Sequence, residues 1–190
     1  MRVFIAVELS DATRKQLQQL QRTFAAAGDR VRWTDISSLH ITLKFLGQVE
    51  EETLGDLYDA LRPVTGAIAP FSVELAGVGA FPQPVAPRVI WVGVQRGRKA
   101  LEQLAAEVNG ATTSLGYAAE KRAWIPHLTL GRVKSLERAT LLPGLVQEHH
   151  DTDIGTLPVD GFEVIQSRLT RKGPIYTALQ RFPLEGAHHE

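Results

Sequence analysis

Residues 40–43 read His-Ile-Thr-Leu and residues 127–130 read His-Leu-Thr-Leu, one His-x-Thr-Leu pattern stated twice, 87 positions apart. With 6 histidines, 14 threonines and 23 leucines among 190 residues, chance supplies about 0.05 such matches. Side chains alternate faces along a strand. Read as strands, the two tetrapeptides therefore each set an imidazole and a hydroxyl on one side. His40, Thr42 and Lys44 share a face while Ile41, Leu43 and Phe45 pack inward; His127 and Thr129 share a face while Leu128 and Leu130 are buried.

Working outward, each motif lies between helical stretches. Arg2 to Leu9 alternates as a strand, and Ser10 caps a helix bearing Leu17, Leu20 and Phe24, closed by Gly28. A short strand Val31 to Thr34 leads into the first motif strand, Leu39 to Leu46. Glu50 to Val64 follows as a helix with Leu54, Leu57 and Leu61 in register. Strands Phe71 to Phe81 and Val89 to Val94 pair antiparallel across PQPVAP, and a helix spans Lys99 to Leu115. The second motif strand is His127 to Val133, followed by a weaker helix from Ser135 that Pro143-Gly144 interrupts. Phe162 to Leu169 and Ile175 to Phe182 form a hairpin around Arg-Lys-Gly-Pro. The expected fold class is α/β (α+β): a bilobal molecule with two antiparallel sheets flanked by helices around a central cleft, built by pseudo-twofold internal duplication. Residues 1–184 form a single bilobal domain and residues 185–190 a frayed tail.

Composition bounds the partners. The 21 Lys and Arg balance 21 Asp and Glu, so the broad nonspecific grip of a duplex-binding protein is not expected, and a nucleic-acid substrate is held locally. There is no cysteine, hence no thiol nucleophile, disulfide or thiolate metal site. The N-terminus lacks a basic segment and cleavage site, and no apolar run reaches the roughly 20 residues that span a bilayer. A soluble, cytoplasmic monomer is the expectation.

Two facing strands of this kind make a pocket of two imidazoles and two hydroxyls with no obligatory metal. That inventory suits phosphodiester chemistry. A neutral His deprotonates water, a protonated His protonates the departing oxygen, and the pair stands on opposite sides of phosphorus for in-line displacement. The unperturbed imidazole pKa of about 6.5 allows both protonation states near neutrality. A single strand His is more often structural, and it is the duplication that argues otherwise. A zinc site lacks His-x-His or His-Glu-x-x-His spacing. The run Glu148-His149-His150-Asp151-x-Asp153 has metal-binding residue types but reads as a solvated helix end, and His188 and His189 lie in the tail. No Gly-x-Ser-x-Gly elbow, P-loop or dinucleotide fingerprint is present, so no cofactor is called for.

The stretches RVFIAVEL, RWTDISSLHITLKFLGQV, PRVIWVGV, IPHLTLGRV and SRLTRKGPIYTAL together resemble the two-histidine (2H) phosphoesterases, specifically the RNA 2',3'-cyclic phosphodiesterases once named 2'-5' RNA ligases. The resemblance spans nearly the whole chain. It implies a bilobal fold and hydrolysis of the phosphorus to 3'-oxygen bond of RNA 3' ends or nucleotides carrying a 2',3'-cyclic phosphate, leaving a 2'-phosphate. It implies His40 as proton donor, His127 as proton acceptor, and Thr42 and Thr129 on the phosphate. Arg132 matches the basic residue that follows the second motif and would also bind phosphate, although strict alternation puts it on the core face unless Gly131 bends the strand. Phe4 and Trp33 are candidate base-stacking surfaces, core packing being the competing reading. The alternative activities are 2'-5' end joining by the same site, which microscopic reversibility permits, and noncatalytic binding of RNA ends.

Overall fold

The computed structural model describes residues 1–27, 30–119, 124–136, 140–171 and 173–187. Its elements are β1 (Arg2–Glu8), α1 (Asp11–Ala25), β2 (Arg30–Trp33), β3 (His40–Gln48), α2 (Leu54–Ala67), β4 (Phe71–Phe81), β5 (Val89–Val94), α3 (Arg98–Thr113), β6 (His127–Ser135), α4 (Leu142–Glu148), β7 (Asp153–Val159), β8 (Gly161–Thr170) and β9 (Gly173–Pro183). The strands form two antiparallel sheets, one in the order β3-β1-β8-β9 and the other β2-β6-β5-β4-β7.

Local chemistry accounts for the element ends. Ser10 is extended, its hydroxyl accepts from the Thr13 amide at 3.2 Å, and Asp11 opens α1 where a negative charge suits the helix dipole. Leu17, Leu20 and Phe24 are the buried stripe, as expected; Gly28 lies outside the described residues. Before α2, Glu51 to Thr53 tighten into a 3-10 turn, which delays the expected helix start from Glu50 to Leu54. Ser135 does not begin a helix: it is the last residue of β6, and α4 starts at Leu142. Pro143 falls in the first turn of α4, where its missing N–H leaves no bond unmade, so it initiates the helix instead of interrupting it. β7, not expected from the sequence, is an edge strand, where Pro158 is tolerated because one side of the strand has no neighbour in the sheet order.

The halves exchange parts. β2 precedes the first motif yet pairs with β6, while the β8 and β9 hairpin follows the second motif yet completes the sheet of β1 and β3. Helix α1 reaches the other half as well: Gln21 Nε2 donates to Thr34 O at 2.8 Å and to Leu130 O at 3.0 Å. One apolar core runs from Ile5, Ile41 and Phe162 of the first sheet to Leu75, Ile90 and Leu128 of the second. After β9 the Glu185 amide donates to Thr65 O at 2.8 Å and the Gly186 amide to Ile68 O at 3.1 Å. Among the described residues no helix is long and apolar enough to cross a membrane.

Candidate active site

The motif strands β3 and β6 share one burial sequence over nine residues: half-buried His, buried, half-buried Thr, buried, buried, exposed, half-buried, exposed, exposed. Strict alternation fails at the fifth position in both. Ala6 pairs with Thr42 and Ile5 with Lys44, so Leu43 is an extra residue on β3; Trp91 pairs with Thr129 and Ile90 with Gly131, so Leu130 is extra on β6. A bulge of one residue exchanges the faces of everything after it. Lys44, expected beside His40 and Thr42, is instead 1% exposed, and its Nζ donates to Asn109 Oδ1 at 2.6 Å and Ala118 O at 2.5 Å. Phe45, expected in the core, is 67% exposed. On β6 the same step buries Gly131 and returns exposed Arg132 to the face of His127 and Thr129, which removes the conflict over Arg132.

The two imidazoles are held alike. His40 Nδ1 lies 2.8 Å from Ser38 O, and His127 Nδ1 lies 2.7 Å from Ile125 O, in each case the carbonyl two residues earlier. A carbonyl only accepts, so each Nδ1 carries the proton and each neutral ring keeps its lone pair on Nε2. Each ring also has aromatic neighbours. Phe4 stacks on His40 at 4.5 Å between centroids and Tyr176 meets it edge-on at 5.3 Å; Phe81 and Trp91 meet His127 edge-on at 5.5 and 6.4 Å. Burial under these rings lowers the His40 pKa from 6.5 to about 4, against the opposing Ser38 hydrogen bond, with the nearby Arg14 charge adding to the decrease. Before substrate binds, His40 is therefore neutral at pH 7. The segment leading into β6 is tied to β3: the Trp124 indole N–H, three residues before His127, donates to Thr42 O at 3.1 Å.

The family described as LigT like Phosphoesterase matches the chain twice in tandem, over residues 7–91 and 92–176, one motif in each copy. The chain belongs to the LigT-like phosphoesterases. It is similar to a protein of Aeropyrum pernix named RNA 2',3'-cyclic phosphodiesterase, 37% identical over 86% of this chain and 92% of the relative, and to the Archaeoglobus fulgidus protein of the same name, 37% identical over 96% and 99%. Among solved structures it is similar to TT0787 of Thermus thermophilus (TM-score 0.83, 30% identity, covering 99% of this chain and 100% of that one). It is also similar to E. coli LigT complexed with 3'-AMP (TM-score 0.78, 25% identity, covering 96% and 97%).

In this LigT-like phosphoesterase the remaining candidates fall as follows. Phe4 is 3% exposed with one ring face against His40, so it supports the histidine and offers no surface to a base. Trp33 is half-buried beside Gly131, where its indole takes the space a side chain would fill. Among the described residues no group of three or more His, Asp or Glu side chains is arranged to hold a metal ion. His149 instead lies 2.9 Å from Thr152 Oγ1 and packs on Phe24. Arg14 joins the site without having been expected there. Its guanidinium donates to Ile36 O at 2.5 Å and Leu39 O at 3.1 Å and pairs with Glu8, clamping both sides of Ser38, whose carbonyl holds His40. No sequence signal marks it, because a helix residue reaching a distant loop has no periodic signature.

Proposed function

We propose that this chain hydrolyses RNA 2',3'-cyclic phosphate ends to 2'-phosphates by acid and base catalysis from His40 and His127, without a metal. The supporting observation is the matched pair of Nδ1-to-carbonyl hydrogen bonds, which leaves Nε2 of each imidazole as the nitrogen that exchanges protons. Water attacks phosphorus and gives its proton to His127; the bond to the 3' oxygen breaks as His40 protonates it; the 2' ester remains. Thr42 and Thr129 donate to the nonbridging oxygens, and Arg132 offsets their charge. The low pKa of His40 before substrate binds sets when the acid is loaded. A phosphodiester anion beside the ring favours its charged form, so the proton is taken up with the substrate. Exposed Phe45, 6.1 Å from the Phe4 ring, replaces Phe4 as the aromatic available to a terminal base, whereas Trp33, paired with buried Gly131 and packed against the core, is turned from the face of His127.

The names of the relatives support this substrate class. The product isomer tests it. A nucleoside 2',3'-cyclic phosphate incubated with enzyme and excess EDTA should give the 2'-phosphate, resolved from the 3' isomer by phosphorus NMR. A 3'-phosphate product, or activity that EDTA abolishes and zinc restores, would remove the proposed mechanism.

A further inference from the structure

Arg14 lies near the start of α1, where its amide donates to Ser10 O at 2.9 Å, but its side chain leaves the helix. One guanidinium nitrogen donates to Ile36 O at 2.5 Å and to Leu39 O at 3.1 Å, and the other pairs with the Glu8 carboxylate. These contacts gather the end of β1, the start of α1 and the 3-10 turn Ile36–Ser38 that leads to His40. Glu8 is also the residue paired with His40 across β1 and β3. The near end of the turn is fixed by Asp35, whose carboxylate accepts from the Ser37 amide at 2.8 Å. Between these anchors stands the Ser38 carbonyl, 2.8 Å from His40 Nδ1.

The second motif is held differently. The carbonyl on His127 Nδ1 is Ile125 O, and the intervening residue is Pro126, whose ring fixes its own φ. Leu39 occupies that place in the first motif, so the backbone there has no such restraint of its own. Arg14 restrains it from α1. A guanidinium suits the task because its planar fork presents several donors in fixed directions, and this one is largely withdrawn from solvent, its side chain 17% exposed.

We propose that Arg14 is a positioning residue for the reaction: it fixes the 36–39 backbone so that the Ser38 carbonyl keeps a proton on His40 Nδ1 and leaves Nε2 directed at the reacting phosphodiester, with Glu8 setting the guanidinium in place. The inference rests on the phosphodiesterase reading above for the part His40 plays. A carbonyl that accepts from Nδ1 selects the tautomer and the rotation of the ring together, and a carbonyl that swings away releases both. A misplacement of about 1 Å can cost roughly 10²-fold in rate. Arg14 neither gives nor takes a proton; it acts through Ser38 and His40.

A double-mutant cycle reads that dependence. Arg14→Ala should lower kcat on a nucleoside 2',3'-cyclic phosphate by roughly 10- to 100-fold, with KM changed less than about threefold. Added to His40→Ala, it should lower kcat by less than about twofold further. A residue that holds the phosphate itself would raise KM and cost the same in both backgrounds, and that result overturns the proposal. Arg14→Lys keeps the positive charge and loses the fork, so it should stay well below wild type. Full activity in Arg14→Lys would assign the effect to charge and overturn the positioning role. Should Arg14→Ala fail to fold, Arg14→Lys and Glu8→Gln take its place in the cycle, with the same lack of additivity expected. The ring gives a readout independent of turnover. Nitrogen-15 NMR at pH 7 should show His40 with Nδ1 protonated and Nε2 bare in wild type, and as a mixture of tautomers in the Arg14 variant; identical signatures overturn the proposal. Undiminished turnover in His40→Ala would count against the phosphodiesterase reading, while the tautomer still decides the role of Arg14.

Discussion

At the scale of the residue, the two histidines are alike in their hydrogen bonds and unlike in their surroundings. His40 lies under Phe4 and Tyr176 with its pKa lowered to about 4, whereas His127 meets its aromatic neighbours only by their edges. An ester with an acidic leaving group needs little protonation, so a nitrophenyl phosphodiester should partly rescue His40→Ala and not His127→Ala. Rescue of His127→Ala alone would exchange the acid and base roles. The cause of the His40 shift is separately measurable. Phe4→Leu admits water to the ring, and the His40 titration followed by proton NMR should move up toward 6.5. No movement would mean that burial by Phe4 is not what holds His40 neutral. His40, His127, Thr42 and Thr129 stand out in the sequence as candidates because a repeated tetrapeptide is statistically visible. Phe45 and Lys44 were misread because the backbone determines a bulge and no residue type announces it.

At the scale of the element, the bulges do the positioning. Gly131 is required where β6 passes under Trp33: a Cβ there would lie 2.8 Å from both Trp33 Cε3 and Val31 Cγ1. Gly131→Ala should cost about 1–3 kcal/mol by overpacking, read as a lower denaturant midpoint at unchanged slope; a neutral result would mean that Trp33 yields freely. On β3 the equivalent position is filled by Lys44, which ties the strand to α3. Lys44→Met keeps the bulk and strands the two acceptors, a loss of about 1–3 kcal/mol by the same measurement; equal stability would show that water replaces the ammonium. The strands Phe71–Phe81 and Val89–Val94 were readable to the residue from turn signals and β-rich composition. β7 was not, since Gly155 and Pro158 break the pattern that marks a strand.

For the whole molecule, the duplicated plan was visible in the 87-residue spacing and is matched by the tandem family match. The exchange of β2 and of the β8 and β9 hairpin between sheets was not, because pairing between distant segments leaves no local trace. Burial of His40 against Phe4 and Tyr176, members of a small apolar cluster apart from the main core, should couple the site to global stability. The folded-state pKa of His40 is about 4 against 6.5 for the ordinary side chain, so below pH 6.5 the unfolded chain binds the proton first. The stabilisation is full above 6.5 and is lost as pH falls toward 4. Urea unfolding of wild type should weaken across that window more than that of His40→Gln, and parallel profiles would contradict the burial of a neutral His40. The measurement that goes most directly to the central claim is kcat on a nucleoside 2',3'-cyclic phosphate in excess EDTA for wild type, His40→Ala and His127→Ala. Turnover by wild type with a loss of roughly 10² to 10⁴ in each variant, both still folded, is the expected result. Undiminished turnover in either variant would contradict the two-histidine site.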